Sequence, residues 1–134
     1  MARAKEKGIM LLSSTSAVDM ETGAKQVLYT PKAGKRGIPT ELVIRDPSGT
    51  LDGCDDVDFG TGANADTWLN NETGITDMTA TTDFMVLRAD SDEWAIIDGD
   101  AAALADRQFG IKVIDGSDAA ATATIDLFGY EFDS

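Results

Sequence analysis

The chain contains no histidine, and among its 134 residues there is a single cysteine, Cys54. Without an imidazole, Ser-His-Asp and Cys-His catalysis, His-ligated zinc and the usual proton shuttle near pH 7 are excluded. One thiol cannot close an intrachain disulfide or supply a multi-cysteine metal site. Aromatic residues make up only 7%, a poor supply for lining a sugar cleft. Long apolar runs are also missing. The stretch behind the polar, basic start MARAKEKG reaches only from Ile9 to Leu12. A secretory signal needs roughly 7–15 apolar residues, and a membrane helix about 20. The expectation is a chain synthesised in the cytoplasm that makes no contact with membranes.

Positive charge is the next scarcity. Eleven Lys and Arg stand against 24 Asp and Glu, a net charge of −13. Phosphates would meet a repelling field, so nucleic acid is not an expected partner. The charge is unevenly spread. Residues 1–45 carry eight basic and four acidic side chains, net +4, whereas residues 46–134 carry three and twenty, net −17. A mildly basic front end thus precedes an acidic body, and such an end can dock on an acidic partner surface.

What the chain has in quantity is β-strand and turn chemistry. Thirteen glycines punctuate segments rich in Thr, Val and Ile. The pattern predicts strands over 8–13, 25–31, 38–46, 56–60, 82–88, 93–98, 107–115 and 121–132. Several alternate with period two, as half-buried strands do. Phe109, Ile111 and Val113 share one face, and Phe84 with Val86 and Trp94 with Ile96 form similar pairs. Near the end, Ala123, Ile125 and Leu127 share one parity while Phe128, Tyr130 and Phe132 take the other. That switch predicts a bulge or a strand buried on both sides, with Gly129 easing the bend. Pro31-Lys32-Ala33-Gly34 and Asp46-Pro47-Ser48-Gly49 read as turns, and Asp98-Gly99 and Asp115-Gly116 as hairpin-type dipeptides. Only Asp100–Asp106 (DAAALAD) has helical composition, enough for two turns. Strands without intervening helices cannot build parallel βαβ units. The fold expected is all-β: a single antiparallel β-sandwich of jelly-roll type with about eight strands. Its domain spans residues 25–134, with residues 1–24 as an N-terminal arm or extension.

The motifs that look chemical are weak. Asp58-Phe59-Gly60 spells a kinase metal motif in a chain too short for a kinase. The glycine loop Gly60-Thr61-Gly62-Ala63-Asn64-Ala65 lacks the following helix that a phosphate-binding loop needs, so it reads as a tight turn between strands. Asp52, Asp55, Asp56 and Asp58 offer the oxygen ligands that calcium takes, without EF-hand spacing. Solvated surface acids are the plainer reading, and no metal or other cofactor is expected. Asp90, Asp92 and Glu93, with Asp98 and Asp100 nearby, share that ambiguity. No carboxylate pair is singled out for glycosidase work. Trp68 lies in a polar neighbourhood with Asn64 and Asp66, which suits either an exposed ligand contact or a cap on the sandwich core.

Three segments considered together carry a resemblance. They are Lys25–Leu51 (KQVLYTPKAGKRGIPTELVIRDPSGTL), Val57–Trp68 (VDFGTGANADTW) and Phe109–Phe132 (FGIKVIDGSDAAATATIDLFGYEF). The set resembles small β-sandwich virion structural proteins of tailed bacteriophages, of the head-decoration, cement or head-fibre type. The proline of Thr30-Pro31-Lys32-Ala33-Gly34-Lys35 stands one place earlier than that pattern has it. The resemblance implies a non-enzymatic protein of the virion's capsid surface, binding the major capsid protein and itself, as a homotrimer. Arg3, Lys5, Lys7, Ile9, Met10, Leu11 and Leu12 are then the expected capsid or subunit contacts. The alternative is a virion-borne host-surface or carbohydrate-binding module, or a tail or fibre component, with Asn64, Asp66 and Trp68 as its ligand loop.

Overall fold

A computed structural model describes residues 8–89 and 96–134 of the chain. Among the described residues there are nine strands: β1 (Met10–Asp19), β2 (Gln26–Tyr29), β3 (Lys35–Arg45), β4 (Asp56–Gly60), β5 (Leu69–Glu72), β6 (Phe84–Arg88), β7 (Ile97–Asp98), β8 (Phe109–Asp115) and β9 (Thr122–Asp133). They form two antiparallel sheets. The first has the order β1-β9-β3-β6, with β7 also pairing with β3, and the second β2-β8-β4-β5. Successive strands cross from sheet to sheet except at β4–β5 and β6–β7, which is the jelly-roll arrangement.

The inward faces follow the alternation in the sequence. Phe109, Ile111 and Val113 of β8 and Ile125 and Leu127 of β9 are buried together with Leu42 and Ile44 of β3 and Phe59 of β4. Burying these side chains contributes roughly 1.5–3 kcal/mol each relative to exposure. Trp68 lies fully inside, its ring edge-on to Phe109 with centroids 5.5 Å apart, and its indole N–H donates to the Pro39 carbonyl at 3.1 Å. The hydrogen bond lets a polar edge be buried without a desolvation penalty.

Several sequence expectations are adjusted. β1 runs on to Asp19 and pairs along β9 from Met10↔Gly129 to Asp19↔Thr122, with Val18 and Met20 buried in the core. Residues from 10 onward therefore belong to the sheet and not to a detached extension. The strand β5 went unanticipated because LNNE is polar and lacks alternation, and Asn71 has φ of 60°. The helix expected over Asp100–Asp106 is reduced to a 3-10 turn at Leu104–Arg107. Neither Asp-Gly dipeptide closes a hairpin: Asp115-Gly116 leads from β8 across to β9 in the other sheet, and Asp98-Gly99 leads from β7 toward that 3-10 turn. The irregularity foreseen near Phe128 lies in the neighbouring strands. Register shifts fall between Leu11 and Ser13 on β1 and between Pro39 and Glu41 on β3, flanking one point of β9. There the β3 backbone presses so close that a Cβ on Gly129 would collide with the Ile38 carbonyl. Trp94 and the first half of the 93–98 strand lie outside the described residues.

Candidate functional site: the outer sheet faces

The two outer faces of the sandwich differ in chemistry. On the β2-β8-β4-β5 sheet the outward positions are mixed, with exposed Val27 and Ile114 and with Lys112 beside an acidic group at Asp56, Asp58 and Asp115. Asp56 pairs in register with Asp115, and Asp58 with Lys112. Burial and the nearby carboxylates of Asp58 and Asp115 push the Asp56 carboxyl up, and one of its oxygens is buried without a hydrogen-bond partner. Asp58 is itself buried and accepts the Asn71 N–H at 2.8 Å. Asp52 accepts the Thr76 hydroxyl at 3.2 Å. The calcium alternative at Asp52, Asp55, Asp56 and Asp58 is therefore corrected. Among the described residues no three His, Cys, Asp or Glu side chains come together as a metal site. The geometric reason is that the four are split between a loop and a strand, and those on the strand are engaged in or against the sheet. Of the second acidic group, Asp90, Asp92 and Glu93 lie outside the described residues, while Asp98 and Asp100 accept backbone N–H groups of Asp100 and Gly34 as turn caps.

The outer face of the β1-β9-β3-β6 sheet has a different character. Phe84 is 70% exposed and Val86 44%, although their alternation alone is compatible with facing a core. Inward on the same strand points Leu87. Strand pairing sets the outward side chains in rows across the sheet. Leu11, Phe128, Glu41 and Arg88 form one row. Ser14, Asp126, Val43 and Val86 form the next, and Thr124, Arg45 and Phe84 the third. Charges on this face are matched locally. Arg45 donates to Asp126 at 2.7 Å and to Asp46 at 2.6 Å, Arg88 to Glu41 at 3.3 Å, and Lys35 pairs with Asp133. Arg36 stands 3.7 Å from Asp98. Strand β3 thus holds one partner of each of these five ion pairs. Burial raises the Asp126 carboxyl, but the Arg45 and Ser14 hydrogen bonds outweigh it and hold the group below its usual range.

Of the expected contact residues, Ile9, Met10 and Leu11 are exposed at the free edge of this sheet, and Leu12 is half-buried and packs against the core. Arg3, Lys5 and Lys7 lie outside the described residues. The ligand loop is corrected as well. Asn64 and Asp66 are exposed, but Trp68 is fully buried, so the loop presents no indole to a ligand. Burial of Trp68 was not readable from its polar neighbours, because Asn64, Asp66 and Asn70 turn outward while Trp68, with Ala65 and Leu69, is buried.

The glycine loop is the β4–β5 connection. Gly60 and Gly62 adopt φ of 154° and 81°, and Thr61 N–H donates to the Thr67 hydroxyl at 2.9 Å. Lys25 secures it from outside: its ammonium donates to the carbonyls of Gly62 at 2.9 Å, Ala105 at 3.3 Å and Gln108 at 2.7 Å. Burial there lowers the Lys25 pKa, opposed by Asp106. Cys54 is buried, and burial with Asp55 beside it pushes the thiol up to about 11, so thiolate chemistry near neutrality is suppressed. No helix among the described residues is long and apolar enough to cross a membrane. The residues newly singled out by the structure are Phe84, Val86, Val43 and Phe128, on the outer face of the sheet. Comparison with protein-family models, with curated proteins and with solved structures gives no match to this chain.

Proposed function

We propose that this chain is a non-enzymatic structural protein of a tailed-bacteriophage virion, a decoration or cement protein that seats on the major capsid protein lattice. The observation that carries this reading is the exposed apolar group Ile9, Met10 and Leu11 at the free edge of β1, continuous with Phe128 on an otherwise charge-matched face. An apolar patch on a chain of net charge −13 is a place for a partner, because the surrounding charge keeps the free protein dispersed. The jelly-roll frame and the resemblance of its three segments to phage virion proteins support the same assignment. Cementing follows from mass action: a protein that binds the assembled shell and not its free subunits stabilises the shell. The other sheet's outer face, with its acidic group at Asp56, Asp58 and Asp115, then looks toward solvent.

The test is co-sedimentation with empty shells of the phage that encodes the chain. The parent chain is expected to sediment with shells and to raise their melting temperature. Leu11→Asp, at an exposed position, is expected to lower occupancy at least about tenfold. Parent protein that stays in the supernatant would overturn the function, and unchanged occupancy with Leu11→Asp would overturn the docking site.

A further inference from the structure

We infer that the β3–β6 half of this same sheet face is a self-association surface, on which a second copy of the chain packs about a two-fold axis. The observation is a self-complementary order of side chains. Along β3 the outward positions are Glu41, Val43 and Arg45, and along β6 they are Arg88, Val86 and Phe84, paired Glu41↔Arg88, Val43↔Val86 and Arg45↔Phe84. Each strand has an apolar centre with unlike ends. Two copies face to face, related by an axis lying in the interface and perpendicular to the strands, bring Val43 against Val43 and Val86 against Val86. The same rotation carries Glu41 of one copy over Arg45 of the other, and Arg88 over Phe84. The first is an opposite-charge contact and the second a cation on an aromatic face. Every such contact occurs twice, as a two-fold interface requires.

Net charge opposes a second copy, so the local order of side chains on β3 and β6 has to select it. Two chains of net charge −13 repel through most of their surfaces, and the acidic face around Asp56, Asp58 and Asp115 opposes contact. The β3–β6 face carries both signs in matched pairs, with Arg45 and Arg88 against Asp126 and Glu41. It also exposes Phe84 and Val86, the apolar area that association would remove from water. The surface adjoins the β1 edge assigned to the shell, since Phe128 of that patch pairs in register with Glu41.

Sedimentation velocity and light scattering on the full chain, at concentrations up to about 0.1 mM, test the inference. The parent is expected at twice the chain mass. Glu41→Arg alone places Arg over Arg in both contacts, and Arg45→Glu alone places Glu over Glu. Each is expected to be monomeric, while an equimolar mixture of the two restores opposite charges in both contacts and recovers the double mass. Val86→Asp is expected to be monomeric, with circular dichroism confirming that each variant is folded. A monomeric or trimeric parent, a Val86→Asp chain still at double mass, or a mixture that stays monomeric would each overturn the inference. Shell binding reads separately. A parent that remains monomeric while Val86→Asp loses shell occupancy would give this face to the capsid and leave the proposed function standing.

Discussion

Asp126 lies on β9 between Arg45 and Ser14, hydrogen-bonded to both, whereas Asp56 on β4 lies opposite Asp115 and beside Asp58. The two carboxylates should therefore respond to pH with opposite signs. Asp126 is held low, so the stability it contributes is present above the unfolded carboxyl value of about 3.9 and is lost as pH falls through its folded value. Asp56 is held high, so its ionised form is a penalty at neutral pH that disappears below about 3.9. Asp126→Asn is expected to lower the melting temperature at pH 7 by about 3–6 °C. Asp56→Asn is expected to raise it by about 1–3 °C, since partial exposure screens the repulsion. Thermal melts between pH 7 and pH 3 check both, and each difference should shrink toward the acid end. Trp68 is the residue whose position was least legible. Its neighbours Asn64, Asp66 and Asn70 are polar and exposed, and which way one side chain points depends on the strand that follows it. Truncating Trp68 to Ala should cost about 3–5 kcal/mol in urea unfolding, through the lost contact with Phe109 and an orphaned Pro39 carbonyl.

At the scale of elements, legibility followed pattern strength. β8 alternates between buried apolar positions and small or polar ones, and it was read with nearly its observed bounds. β5 has neither alternation nor β-branched residues, and its strand character comes from pairing with β4 alone. β1 is a subtler case, because the expected strand stops at residue 13 inside the arm over 1–24 and its two register shifts break the period. Such bulges also blunt an edge strand against indiscriminate pairing, which leaves Ile9–Leu11 as its sticky end. If the chain that leaves β1 is integral to the domain, Met20→Ala should destabilise it by about 2–5 kcal/mol, because the Met20 side chain is fully buried. A denaturant midpoint unchanged from the parent would contradict that. Lys25 ties two loops that no strand joins. Lys25→Met should leave the core intact while speeding hydrogen exchange of the Gly62 and Ala65 amides, whose acceptors are the Ala105 and Gly62 carbonyls.

For the whole molecule, the charge of −13 predicts self-repulsion in the compact state. Raising NaCl from about 0.02 to 0.5 M, which shortens the Debye length several-fold, should raise the melting temperature despite weakening exposed ion pairs. A falling melting temperature would mean that the pairs along β3 outweigh the global repulsion. The N-terminal third is basic by sequence, yet β3 spends its Lys35, Arg36 and Arg45 on neighbouring acids. Among the described residues, the positive charge of β3 is thereby converted into a neutral face.

The sequence by itself determined the all-β class, the approximate place of most strands and the absence of imidazole chemistry, because these depend on composition and on period-two alternation along one strand. It also identified the glycine loop as a turn, since no helix follows to hold a phosphate. Only the tertiary structure decided which side of each alternating strand is the inside. Phe84 and Val86 have the spacing of core residues and face outward, while Trp68 has the setting of a surface residue and lies in the core. The physical reason is that a strand's periodicity specifies two faces without assigning either. The assignment comes from the sheet packed against it, through contacts between residues far apart in the chain, such as the Trp68 indole with the Pro39 carbonyl.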